Sequence, residues 1–164
     1  EAFADCDPAI GIAHHVDDYA RLLVFRSFGK FFGLAGVRLG FVIGPPTVLD
    51  PLRDLLGAWP VSAAAIALGT AAYRDRRWIE TTRERLRGEA AALDAMLGDQ
   101  GLTASGDCPL FRLLDTENAA ALFERLARAA ILTRPFADQP HWLRIGLPGS
   151  NEALGRLEAA LAHG

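Results

Sequence analysis

Apolar residues follow two unlike rhythms along this chain. Residues 22–26 (LLVFR) and 39–44 (LGFVIG) are almost unbroken apolar runs rich in strand formers, and each predicts a buried strand. Pro45-Pro46 stops the second run, and residues 47–51 read as a short helix with Thr47 as N-cap. Residues 62–73 are alanine-rich and predict a helix. Over residues 75–97 the period becomes helical and amphipathic, with Trp78, Ile79, Leu86, Ala90, Leu93 and Leu97 recurring three and four apart. Gly98-Asp99-Gln100-Gly101 ends that helix. Beyond it the pattern predicts a strand over 110–114, a helix over 117–129 and strands over 131–133 and 142–147. A closing helix follows over 151–162, with Asn151 as its N-cap. The pattern divides the chain into a β/α part, residues 1–74, and a second part, residues 75–164, made of a long linking helix and a small α+β domain.

Composition removes several functional classes. Apolar residues make up 51% and charged residues 23% of the 164, with a net charge of −3, so no basic surface for nucleic acid or acidic lipid stands out. The arginines Arg76, Arg77, Arg83, Arg85 and Arg87 are interleaved with Glu80, Glu84 and Glu89, which reads as a solvated, salt-bridged helix face. No apolar run approaches the ~20 residues that cross a bilayer. Cys6 and Cys108 are far apart and outside any C-x-x-C spacing; they read as reduced, buried thiols of a cytoplasmic protein. His14-His15 and the cysteines lack metal-ligand spacing, so no metal is expected. Trp59 reads as a packing residue. The chain opens "EAFADCDPAIG", without an initiator methionine, and reads as a piece of a longer chain.

The stretch "SFGKFFGLAGVRLG", residues 27–40, carries two cations, Lys30 and Arg38, in a glycine-rich apolar setting. Gly29-Lys30 does not make a P-loop, because Val24 stands where the first glycine is required and Phe31 where a hydroxyl is required. A second chemistry suits these residues. A lysine desolvated in an apolar pocket is a nucleophile toward a carbonyl cofactor. Ser27 and Arg38 on either side would hold a phosphate by charge-assisted hydrogen bonds, and Gly33, Gly36 and Gly40 would let the backbone approach it. The same residues also suit a surface loop with an incidental lysine and arginine.

Ser27, Lys30 and the run Leu34-Ala35-Gly36-Val37-Arg38-Leu39-Gly40 resemble the cofactor-lysine segment of fold-type I pyridoxal-phosphate enzymes, the class I/II aminotransferase family. The resemblance implies an α/β fold. It covers the C-terminal part of such a transferase: the end of its large mixed-sheet domain and its small α+β domain. It implies pyridoxal 5'-phosphate as cofactor, Lys30 as the catalytic lysine, and Ser27 and Arg38 as phosphate ligands. The family often has a hydroxyl residue directly before the lysine, where this chain has Gly29. Glu1-Ala2-Phe3 resembles the family's Asp-Glu-Ala-Tyr/Phe segment, which places Phe3 at the cofactor and the pyridinium aspartate immediately before Glu1. Trp142-Leu143-Arg144-Ile145-Gly146 resembles the strand whose arginine clamps the substrate carboxylate, which implies that role for Arg144, against a strand-edge charge as the other reading. By analogy with relatives acting on phosphorylated amino acids, Arg134 faces a second anionic group, against a structural salt bridge as the other reading.

Within the family, "RSFGKFFGLAGVRLGF", "GAWPVSAAA" and "ILTRPFADQPHWLRIGLP" look most like the threonine-phosphate decarboxylase branch of cobalamin biosynthesis, a sister of the histidinol-phosphate aminotransferases. That implies a homodimeric, PLP-dependent enzyme whose substrate is a phosphorylated amino acid. The reaction is decarboxylation, with transamination of a histidinol-phosphate type as the alternative. A non-enzymatic alternative is a folded but catalytically silent piece lacking half of the site. A front part with few strands would also leave a sheet edge exposed and favour aggregation or a partner.

Overall fold

A computed structural model describes residues 1–162 apart from 18 and 20, and it divides the chain into two units, Glu1–Arg83 and Glu84–Gly164. The long helix α3 (Arg76–Asp99) begins in the first and continues in the second.

In the first unit, strands β1 (Val24–Ser27) and β2 (Gly40–Ile43) form an antiparallel ribbon with Val24 opposite Ile43 and Ser27 opposite Gly40. Both strands lie where the apolar runs predict them, but they are not buried on both faces: Phe25, Phe41 and Val42 are exposed. Among the described residues the ribbon has only two strands, so its outer faces lack the cover a wider sheet would give. Helix α1 (Pro46–Leu56) starts one residue before Thr47, which is not its cap; Pro45 is, without a side-chain hydrogen bond. Pro46 can open a helix because its fixed φ suits the first turn and its missing N–H has no partner there anyway. Helix α2 (Ala63–Arg74) begins as expected at Ser62, whose hydroxyl accepts from the Ala65 N–H at 3.1 Å. The first turn of α3 is capped by Asp75, which accepts from the Trp78 N–H at 3.0 Å.

The interior of this unit is aromatic. Phe28, Phe31 and Phe32 are buried. Phe32 stacks on Trp78 at 5.7 Å between ring centroids and meets Tyr73 edge-on at 4.8 Å; Phe28 stacks on Phe32 at 4.9 Å. Such offset and edge-to-face pairs add to the stabilisation from burial itself.

The second unit follows the period-two rule closely. Strands β3 (Ala104–Ser105), β4 (Phe111–Asp115), β5 (Arg134–Pro135) and β6 (Trp142–Gly146) make an antiparallel sheet in the order β3-β4-β6-β5. Arg112 and Leu114 on β4, and Leu143 and Ile145 on β6, face inward; their neighbours face out. Helices α4 (Ala119–Arg128) and α5 (Asn151–Ala162) supply Leu122, Leu126, Leu157 and Leu161, and α3 supplies Leu93, Met96 and Leu97, to one apolar core. Buried Arg112 is accommodated by Asp94, with its Nε at 2.6 Å from Oδ1 and its Nη2 at 2.9 Å from Oδ2; Nη1 donates to the Cys108 carbonyl at 2.8 Å. That hydrogen bond to Asp94 outweighs the opposing effect of burial and raises the Arg112 pKa further above neutrality.

Three expectations move. Residues 131–133 are not a strand. Ala130 ends α4 in the left-handed region (φ 56°) and the Ile131 N–H turns back to the Leu126 carbonyl at 2.8 Å, so pairing with β6 starts only at Arg134. Asn151 does not cap α5; the Ser150 hydroxyl does, accepting from the Ala153 N–H at 3.1 Å. Cys6 is buried, but Cys108 is only half-buried; the two form no disulfide.

Candidate functional site

The pairing of β1 with β2 closes residues 28–39 into a loop. Ser27 stands opposite Gly40 at its base, and the Phe28 N–H reaches the Leu39 carbonyl at 3.3 Å. Within the loop, the Gly33 N–H donates to the Lys30 carbonyl at 3.1 Å, and Ala35–Val37 makes one 3-10 turn. Arg38 ends that turn at φ 57°, with its N–H on the Ala35 carbonyl at 3.2 Å. A non-glycine residue in this region is uncommon and costs energy, so the surrounding turn holds Arg38 in place.

This loop explains how a lysine sits in an apolar run. Phe28, Phe31 and Phe32 turn into the aromatic interior, and Lys30, between them, is exposed. The expected desolvated pocket around the lysine is therefore not present in these residues. The structure places Ser27 at the base of this closed loop and Lys30 and Arg38 on it, both exposed. Among the described residues neither cation has an ion-pair partner. A cavity of about 620 Å³ adjoins β2, lined by Leu39, Phe41, Trp59, Ile66, Thr70 and Tyr73. Trp59 does not pack as its sequence suggests. It is 93% exposed at the rim of this cavity, with φ 65°, two residues after the turn made by Gly57 at φ 67°.

Phe3, half-buried, lies in an N-terminal turn tied to β1 by charges that sequence reasoning did not find. Arg26 bridges Glu1 at 3.0 Å and Asp5 at 2.6 Å. Asp5 also accepts from the Tyr73 hydroxyl at 3.3 Å, and its carbonyl accepts from Arg83 Nε at 2.8 Å. The Glu1 carboxylate accepts from the Ile12 N–H as well. Burial opposes the charge on Arg26, but the Asp5 hydrogen bond and the charges of Asp5 and Glu1 outweigh it and raise its pKa. Burial, helped by the Asp5 charge, pushes the Tyr73 phenol up to about 12. The one local signal was Arg26 itself, a lone cation ending an apolar strand.

In the second unit, Arg134 on β5 is the direct register partner of Arg144 on β6. Like charges directly opposite each other in a sheet are unfavourable. Each is instead laid over an aromatic ring: Arg144 over Phe111 at 4.9 Å and Arg134 over Phe136 at 4.8 Å. Among the described residues neither has a carboxylate partner, in contrast to Arg112 on the opposite face. Two guanidiniums so placed suit a ligand with two anionic groups.

Comparison with known proteins bears on both units. Residues 2–161 match the family described as aminotransferase class I and II. The chain is 45% identical to a threonine-phosphate decarboxylase from a Sinorhizobium species, over 99% of this chain and 48% of that protein. It is 34% identical to histidinol-phosphate aminotransferase 1 of Cupriavidus pinatubonensis, over 97% of this chain and 45% of that protein. Its fold superimposes with a TM-score of 0.83 on the histidinol-phosphate aminotransferase of Sinorhizobium meliloti solved with pyridoxal-5'-phosphate, at 24% identity, over 98% of this chain and 46% of that one. The chain thus spans about half the length of the curated relatives it matches.

Proposed function

Because the chain belongs to the aminotransferase class I and II family, we propose that it carries the C-terminal part of a PLP-dependent enzyme acting on a phosphorylated amino acid, a threonine-phosphate decarboxylase. The observation that carries this reading is the 45% identity with threonine-phosphate decarboxylase across 99% of the chain, against 34% for the histidinol-phosphate aminotransferase. The second reading, a histidinol-phosphate-type aminotransferase, rests on the latter match. A cytoplasmic homodimer in its full-length form belongs to the same proposal; among the described residues no helix is long and apolar enough to cross a membrane.

The donor set fits the cofactor. Ser27, Lys30 and Arg38 offer a hydroxyl, an amine and a guanidinium on one loop, and the two cations have no competing carboxylate among the described residues. Ser27 Oγ and the Arg38 guanidinium would hold the phosphate, Lys30 Nζ the aldehyde carbon, and Phe3 would contribute an apolar contact without a hydroxyl. Pyridoxal 5'-phosphate, when bound, supplies a conjugated ring that accepts electrons from a bond broken at the substrate's α-carbon. Lys30 Nζ would also take up and return protons as an acid/base. Arg144 would bind the substrate carboxylate by a two-point hydrogen bond and set its direction. Arg134, opposite it, would take the second anionic group.

The test uses the full-length protein. Incubation with O-phospho-threonine alone is expected to release carbon dioxide. Consumption of histidinol phosphate with 2-oxoglutarate, without carbon dioxide release, would favour the aminotransferase. Lys30→Ala is expected to abolish the visible absorbance of the loaded protein. A full-length protein that takes up no cofactor would end the enzymatic reading.

A further inference from the structure

Gly29 is where this chain departs from the hydroxyl residue expected before the lysine, and its surroundings give a reason. A Cβ built on Gly29 would lie 2.6 Å from the Ala35 Cα, 3.1 Å from the Ala35 Cβ and 3.2 Å from the Ala35 nitrogen. Carbon atoms pack at about 3.5–4.0 Å, so any side chain at 29 would push the Ala35 backbone back by roughly 1 Å. The obstacle is main chain, which cannot swing aside as a side-chain tip can. By contrast, a Cβ on Gly33 or Gly36 in the same loop would meet nothing within 4 Å.

Ala35 is also the residue on which Arg38 depends. Its carbonyl accepts the Arg38 N–H, closing the turn that holds Arg38 at φ 57°. A retreat of Ala35 therefore moves the guanidinium. We infer that Gly29 is a positioning residue: its missing side chain lets the turn before the lysine and the 35–37 turn touch, and that contact sets where Arg38 presents its charge to a phosphate. The inference rests on the reading of Ser27, Lys30 and Arg38 as the cofactor site. It reverses the sign expected from counting donors, by which a serine at 29 adds a phosphate contact and tightens binding.

The experiment measures dissociation constants of the full-length protein for pyridoxal 5'-phosphate and for pyridoxal, which lacks the phosphate, by the absorbance of the bound species. The parent should prefer the phosphorylated form. Gly29→Ser and Gly29→Ala should both lower that preference, on the order of tenfold as for a weakened hydrogen bond to a charged group, with pyridoxal binding little changed. Arg38→Asn keeps a residue tolerant of the left-handed region and removes the guanidinium. In that background Gly29→Ser should cause no further loss of preference. A Gly29→Ser variant that binds the phosphorylated form as tightly as the parent, or more tightly, overturns the inference; so does an undiminished extra loss in the Arg38→Asn background. Failure of both Gly29 variants to fold, by circular dichroism, overturns it too, because the displacement would then not be confined to the turn. A parent that shows no preference for the phosphorylated form sinks the cofactor reading itself, a different and separately visible result.

Discussion

The two units handle their apolar residues in opposite ways. Residues 84–164 gather eleven buried side chains from α3, α4, α5 and the inner face of the sheet into one core. Among the described residues, thirteen of the fourteen exposed large apolar side chains lie in residues 1–83, and Leu132 alone lies in the second unit. They include Phe25 on β1, Phe41 and Val42 on β2, Leu55, Leu56, Trp59 and Ile66. The first unit has an ordered aromatic interior but an unfinished exterior; the second closes on itself. Exposed apolar surface on this scale marks an interaction face or an aggregation liability. The unit carrying the lysine loop is thus the one expected to need cover for its stability.

The sharpest way to break this contrast is to separate the parts. Residues 84–164 alone should unfold cooperatively in urea and stay monodisperse, whereas residues 1–83 alone should bind a hydrophobic dye and aggregate. A monodisperse, dye-free first unit would show that its exposed residues need no cover. A smaller effect comes from single truncations. Leu143→Ala, in a site fully shielded from solvent, should destabilise by about 2–5 kcal/mol. Leu55→Ala, 83% exposed, should stay within about 0.5 kcal/mol. Urea midpoints at matched slopes check both. The smallest effect concerns pH. The Tyr73 phenol is raised to about 12 in the folded chain, against about 10 when unfolded. Between those values the unfolded chain loses a proton that the folded chain keeps. The contribution is therefore intact below about pH 10 and is lost as the pH rises to about 12. Tyr73→Phe should flatten that part of the stability profile, and the phenolate absorbance of the parent should show a late-titrating tyrosine that the variant lacks.

Local pattern located most elements. The strands at β1, β2, β4 and β6 and the helices α2, α3 and α5 fall within a residue or two of their expected limits, because period-two and helical periodicity are carried by neighbouring residues. Ser27, Lys30 and Arg38 were legible as a group because they lie within twelve positions of one another and share a loop. The Arg26 network was not, since its partners Glu1, Asp5, Tyr73 and Arg83 are scattered along the chain and no spacing rule joins them. The opposition of Arg134 and Arg144 was hidden for a similar reason: register across β5 and β6 depends on where α4 ends, and that is set by a left-handed Ala130.

The amino-acid order alone thus determined the alternation of apolar faces, the helix stops and the grouping of amine, hydroxyl and guanidinium in one short stretch, since each is a property of near neighbours. Whether an apolar residue is covered depends on chain far away in sequence, and only the tertiary structure decided it: Phe28 is inside, while Phe25 and Trp59 are outside. It also decided that residue 29 touches residue 35, a contact made by folding the loop back on itself. Burial and close approach are properties of assembled surfaces, and no local rule carries them.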